Sequence, residues 1–124
     1  MAYEDLGQRE RAIEDYDEAI RLDPKLAEAF NSRGIVYGEL GQLARAIEDF
    51  SQAIMLDPTD DDPYSNRGVA YSDLGQHERA IGDHDEAISI DSKDSINYLN
   101  RGNTYTARGQ DQRAIEDFDQ AIQL

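Results

Sequence analysis

His77 and His84 stand at i and i+7, in register to share one face of a helix and offer two imidazoles to a metal or to proton transfer. Zinc asks for three or four ligands, and no further residue stands at ligand spacing from this pair. The chain has no cysteine, which removes thiolate metal sites, disulfides and cysteine nucleophiles together. Carboxylates are plentiful, 27 Asp and Glu, yet none is set apart by its surroundings as half of a glycosidase-like pair. Nor does a phosphate-binding loop or a nucleophile motif occur. The expectation is a protein that is not an enzyme, with no cofactor and no metal. His84 then stands in for an aromatic residue, and His77 lies at the surface.

Charge narrows the partners. Twelve Lys and Arg against 27 Asp and Glu leave a formal charge of −15, which repels phosphate backbones and anionic lipid alike. Nucleic acid and membrane are not expected; a basic or neutral protein or peptide is favoured. A hydrophobic share of 39% argues for a folded domain rather than a disordered tail. The apolar runs are too short to span a bilayer, and residues 1–5 lack the basic and apolar parts of a secretory signal. The compartment stays open, cytoplasmic by default.

The elements that must carry these residues follow from a repeat. Gly-Gln recurs at Gly7, Gly41, Gly75 and Gly109, one step of 34 residues each time and without a gap. Ala12-Ile13, Ala46-Ile47, Ala80-Ile81 and Ala114-Ile115 keep the same step, as do Arg33-Gly34, Arg67-Gly68 and Arg101-Gly102. Within a unit, Phe30, Gly34, Tyr37 and Leu40 fit one helical face, and Ala46, Ile47, Phe50, Ala53, Ile54 and Leu56 fit another. Gly41 suits the left-handed turn that ends the first helix. Asp57-Pro58 and Asp23-Pro24 end second helices, and Asp91-Ser92 keeps the stop without proline. The pattern predicts helices near 9–22, 27–40, 43–56, 61–74, 77–90, 95–108 and 111–124, with a helical remnant at 2–6. If Gly7-Gln8 fails to turn, that remnant fuses with the next helix.

This unit resembles the tetratricopeptide repeat on Phe30, Gly34, Tyr37, Ala46, Phe50, Ala53 and Pro58. The pattern returns as Tyr64, Gly68, Tyr71, Ala80, His84, Ala87 and as Tyr98, Gly102, Tyr105, Ala114, Phe118, Ala121; a partial copy supplies Tyr3, Ala12, Tyr16, Ala19 and Pro24. The resemblance implies an all-α fold, an α–α superhelix (solenoid) of stacked antiparallel helical hairpins. One array then covers 1–124: a partial repeat 1–26 and repeats 27–60, 61–94 and 95–124. All ten aromatic residues fall on three repeat positions, so packing accounts for them. Arg33, Arg67 and Arg101 depart from the family, which usually has a leucine-like residue there. Buried arginine needs a partner, and each repeat offers one in Asp15, Asp49, Asp83 and Asp117. The expected result is a ladder of pairs, with Arg11, Arg45, Arg79 and Arg113 as competitors for the same carboxylates.

The resemblance further implies a groove, lined by first helices, that binds extended or helical peptide. By register the groove residues are Glu28, Asn31, Ser32, Ile35 and Glu39, then Asp62, Ser65, Asn66, Val69 and Asp73, then Ile96, Leu99, Asn100, Asn103 and Ala107. Asn66, Asn100 and Asn103 are the candidates to hydrogen-bond a ligand backbone. Positions that in one subclass hold a basic clamp for chaperone C-termini carry Glu28, Asn31, Asp62, Ser65 and Asn66, so that function is not expected. A basic peptide with one or two apolar anchors fits better, unless Ile96 and Leu99 pack within their own hairpin. The acidic run Asp60-Asp61-Asp62 reads as a solvated helix start. Core-type residues at both ends, Ile13, Tyr16 and Ile20 and then Ile115, Phe118 and Ile122, suggest a longer array or self-association into a homo-oligomer.

Overall fold

The computed structural model describes residues 3–124, with side chains from Asp5 onward. All the described secondary structure is helical: α1 (Tyr3–Leu22), α2 (Ala27–Glu39), α3 (Leu43–Leu56), α4 (Asp61–Asp73), α5 (His77–Ile90), α6 (Ser95–Ala107) and α7 (Asp111–Gln123). The chain falls into two compact units, Met1–Pro58 with α1 to α3 and Thr59–Leu124 with α4 to α7. In each unit, consecutive helices pair as hairpins: α2 with α3, α4 with α5, α6 with α7.

The turns are local chemistry. Past α2, Gly41 sits at φ 77°, and Gly75 and Gly109 repeat the geometry at φ 80° and 83°. The backbone there closes a Schellman motif: Gln42 N donates to Tyr37 O at 2.9 Å and Gly41 N to Gly38 O at 3.0 Å. Second helices stop differently. Asp57 and Asp91 leave the α region at φ −145° and −136°. The Asp91 carboxylate accepts the Lys93 backbone N–H at 3.0 Å, so this turn holds without the proline found at Pro58. Asp60 and Asp94 then cap α4 and α6, accepting from Asp62 N at 3.1 Å and Ile96 N at 3.0 Å.

Inside each hairpin, a glycine of the first helix lets an aromatic ring of the second come close. A methyl group at Gly34 would lie 2.7 Å from Phe50 Cε1, and one at Gly102 would lie 2.6 Å from Phe118 Cε1. Replacement Gly102→Ala is expected to destabilise the protein by about 1–2 kcal/mol, since the added methyl must displace a packed ring. Urea denaturation checks this, and an unchanged midpoint would mean that Phe118 moves freely.

One expectation needs correction. The remnant at 2–6 is no separate element, because α1 runs unbroken through Gly7 and Gln8, as the alternative allowed; Ala2 lies outside the described residues. Glycine permits the left-handed turn without requiring it, and Gly7, unlike Gly41, Gly75 and Gly109, keeps helical backbone.

Candidate functional site

The repeated arginines occupy the interior of the hairpins. Arg33 reaches Asp49 with two parallel bonds, Nε to Oδ2 at 2.8 Å and Nη2 to Oδ1 at 2.7 Å. Arg67 meets Asp83 at 2.8 and 2.7 Å, and Arg101 meets Asp117 at 2.9 and 2.7 Å, in the same fork geometry. The three aspartates are buried. Two arginines hold a second carboxylate as well: Arg33 Nη1 donates to Asp17 at 2.8 Å and Arg101 Nη1 to Asp85 at 3.0 Å. The pairing therefore uses Asp49, Asp83 and Asp117 as expected, while the carboxylate that α1 supplies is Asp17 and not the exposed Asp15. These bonds, with Asp49 and Asp117 foremost, hold the Arg33 and Arg101 guanidiniums above the usual arginine range. The competing arginines go elsewhere. Arg45, Arg79 and Arg113 lie over the rings of Tyr37, Tyr71 and Tyr105 at 5.6 to 5.8 Å, and the other arginine series lies near those same rings.

His84 is enclosed. It packs against Gly68, where a methyl group would lie 2.5 Å from its ring, in the place that Phe50 and Phe118 fill in the other hairpins. Burial first, and then the charge of Arg101, push its pKa down to about 4 against the opposing pull of Asp117. Neither ring nitrogen has a hydrogen-bond partner. The histidine is thus part of the packing, and His77 is half-buried on the same helix.

The residues expected in a groove can be placed unit by unit. On α2, Glu28, Ile35 and Glu39 are exposed and Asn31 is half-buried; Glu39 accepts from Arg9 Nε of α1 at 2.9 Å. On α4, Asp62, Val69 and Asp73 are exposed, and Asn66 is half-buried. On α6, Ile96, Leu99 and Asn103 are exposed, Ile96 by 53%. The two first helices of this unit are tied side by side, Asn100 Nδ2 to Ser65 Oγ at 2.8 Å and Thr104 Oγ1 to Ser72 Oγ at 3.4 Å. The amide nitrogen of Asn100 is therefore engaged within the protein. Ile96 and Leu99 are not consumed by their own hairpin and stay exposed at the surface. Asp62 is held above the usual carboxylate range, first by partial burial and then by Asp60, Asp61, Asp94 and Asp91.

The residues proposed for self-association divide. Ile13, Tyr16, Ile20 and Phe118 are half-buried, whereas Ile115 and Ile122 are 53% and 81% exposed on α7. The equivalents of those two isoleucines on α5, Ile81 and Ile88, are half-buried, and α6 packs on α5.

Stacked hairpins with a buried polar clasp and first helices that expose apolar and acidic side chains define an all-α helical-repeat scaffold for protein interaction. Profiles described as TPR repeat match residues 2–41 and 36–75, and a profile described as tetratricopeptide repeat matches 64–90 and 98–124. The chain belongs to the tetratricopeptide repeat family. It is similar to the crystal structure of MamA at 29% identity, with 98% of this chain and 71% of that chain covered and a TM-score of 0.85. The second TPR of Spaghetti (RPAP3), bound to the HSP90 peptide SRMEEVD, is 30% identical, with 86% of this chain and 98% of that one covered and a TM-score of 0.76. The TPR domain of Arabidopsis OM64 is 27% identical over 77% of this chain and 79% of that one, with a TM-score of 0.75. No curated protein matches the sequence. Among the described residues, no helix is long and apolar enough to cross a membrane.

Proposed function

We propose that this chain is a non-catalytic scaffold that takes a basic peptide with apolar anchors on its first-helix surface. The observation that carries the reading is that α4 and α6, packed on each other, leave Val69, Ile96 and Leu99 exposed, along with Asp62 and Asp73 of α4. Apolar side chains left in water beside like charges favour a partner that covers the one and neutralises the other. On α2, Glu28, Asn31, Ile35 and Glu39 offer the same mixture; on α6, Asn103 is exposed, and its amide is the group assigned here to the peptide backbone. The RPAP3 domain binds an acidic peptide ending in EEVD. Here the positions matched to a basic clamp carry Glu28, Asn31, Asp62, Ser65 and Asn66, so charge repulsion disfavours that ligand.

A second reading, association between copies of the chain through α7, is favoured by the exposure of Ile115 and Ile122. One experiment separates the two. Fluorescence anisotropy with a labelled Lys- and Leu-bearing peptide should show binding that weakens about tenfold in Asp73→Lys and in Leu99→Ser, and further with salt. Equal or tighter binding of a peptide ending in EEVD would overturn the groove reading. Capture that survives both substitutions but fails in Ile122→Asp, with loss of oligomer by light scattering, would put self-association in its place.

A further inference from the structure

We propose that unit Met1–Pro58 carries a second binding site, a cleft lined by α1, the end of α2 and the start of α3. Its occupant is a peptide segment with one bulky apolar side chain, a basic residue and an acidic residue side by side.

The cleft has a volume of about 300 Å³, at the lower end of the range for pockets that hold a ligand. From α1 come Leu6, Glu10 and Ile13, whose spacing of four and then three residues puts them on one helical face. Tyr37 and Leu40 come from the end of α2, and Arg45 from the first turn of α3. Leu6 joins this face because α1 runs unbroken through Gly7. At the same register Leu40, Leu74 and Arg108 are instead the C-caps of first helices.

Unit Thr59–Leu124 builds the corresponding place differently. There Arg108 stands where Leu40 does, and it forms an ion pair with Glu78, the equivalent of Glu10. With leucine at position 40, Glu10 has no ion pair or hydrogen bond among the described residues. Arg45 likewise has no carboxylate partner among them. Its guanidinium lies over the Tyr37 ring at 5.6 Å and donates from Nη1 to the neutral Gln42 Oε1 at 3.3 Å. Both charged side chains are exposed, and Leu6 is 37% exposed. One cleft therefore presents a carboxylate, a guanidinium already oriented by a ring, and an apolar lining.

The occupant follows by complementarity. A bulky apolar side chain takes Leu6, Ile13 and Leu40 out of water. A basic residue answers Glu10, and an acidic one accepts the fork of Arg45. A purely basic peptide would bring like charge to Arg45, and a purely acidic one would do so to Glu10. This preference differs from that of the first-helix surface, with which the cleft shares no residue.

The test titrates the isotope-labelled full chain with two end-blocked peptides, Gly-Lys-Phe-Asp-Gly and Gly-Asp-Phe-Lys-Gly, one for each chain direction. Amide NMR shifts should saturate with at least one of them and centre on residues 6–13 and 37–45. Alanine in place of the peptide's phenylalanine should weaken binding more than about tenfold. Glu10→Gln and Arg45→Gln should each weaken it about threefold, the scale of an exposed ion pair, and neither exposed change threatens the fold. Leu40→Arg copies the residue at Arg108 and should close the cleft onto Glu10, abolishing binding. Asp73→Lys and Leu99→Ser, which weaken the first-helix peptide, should leave this binding unchanged, so the two sites fail separately. No saturable shift with either peptide would overturn the site. So would an equal response to free phenylalanine or to the alanine peptide, or unchanged binding in both Arg45→Gln and Leu40→Arg.

Discussion

Replacement of Asp49 by alanine is expected to destabilise the protein by about 3 kcal/mol, far beyond the effect of removing a surface ion pair. Asp49 is buried and takes two bonds from Arg33, whose guanidinium lies inside the hairpin near the rings of Phe30 and Tyr37. Removing the carboxylate leaves that charge largely desolvated, with the half-exposed Asp17 still beside it. The sign reverses when both partners go. In Arg33→Leu/Asp49→Leu the cost of burying two charges disappears with their attraction, and leucine is the residue type usual at the arginine position in this family. The double variant should therefore lie within about 1 kcal/mol of wild type. Urea denaturation of the two single variants and the double closes the cycle. A single-variant cost below about 1 kcal/mol would mean that water already reaches the pair.

Acid should destabilise the protein through His84 by a similar amount. In the unfolded chain this histidine takes a proton near its ordinary pKa of 6.5, while in the fold it does so only at about 4. The unfolded state thus binds more protons across that interval. Stability is full above about pH 6.5 and falls as pH drops toward 4, with a total loss of about 3 kcal/mol. The variant His84→Phe separates this effect from the titration of carboxylates. Phenylalanine fills the same place beside Gly34 and Gly102, so the hairpin accepts it, and two buried nitrogens without partners are removed. At neutral pH the variant should be more stable by about 1–2 kcal/mol. Its advantage over wild type should widen between pH 7 and pH 5 in paired urea titrations. A constant difference would show that His84 is protonated as readily in the fold as outside it.

What the sequence discloses depends on how local the determinant is. Six of the seven expected helices agree with the structure to within a residue or so, because Gly41, Gly75 and Gly109 and the Asp57 and Asp91 stops act through their own backbone. The same dipeptide at Gly7 does not turn. Its neighbourhood reads like the others, and glycine permits the turn without enforcing it, so the dipeptide alone does not decide between turn and helix. The aspartates facing the arginines were legible as register positions, since each lies 16 residues on within one hairpin. Asp17 and Asp85 were not, because they depend on which neighbouring second helix comes within reach. Of the groove residues, Asn100 shows how a surface position can be half committed: its bond to Ser65 joins two helices that the repeat pattern treats separately. Asn97 and Asp61 each look like a minor lapse in the repeat, and only the fold brings the two lapses together.

The forked arginines also set how the hairpins share their stability. In a stack of repeats, total stability is close to a sum of terms for each repeat and terms for each junction, and the junction terms decide whether neighbours unfold together. Arg33 and Arg101 enter both sums at once. One side of each guanidinium closes its own hairpin on a buried aspartate, while the other reaches back to Asp17 or Asp85, whose side chains are 53% and 55% exposed. The inner bond is sheltered from ions; the outer one is not. Dissolved salt therefore acts on the coupling between neighbours more than on the neighbours themselves. Ionic strength becomes a dial for cooperativity, and it leaves the hairpin interiors nearly untouched.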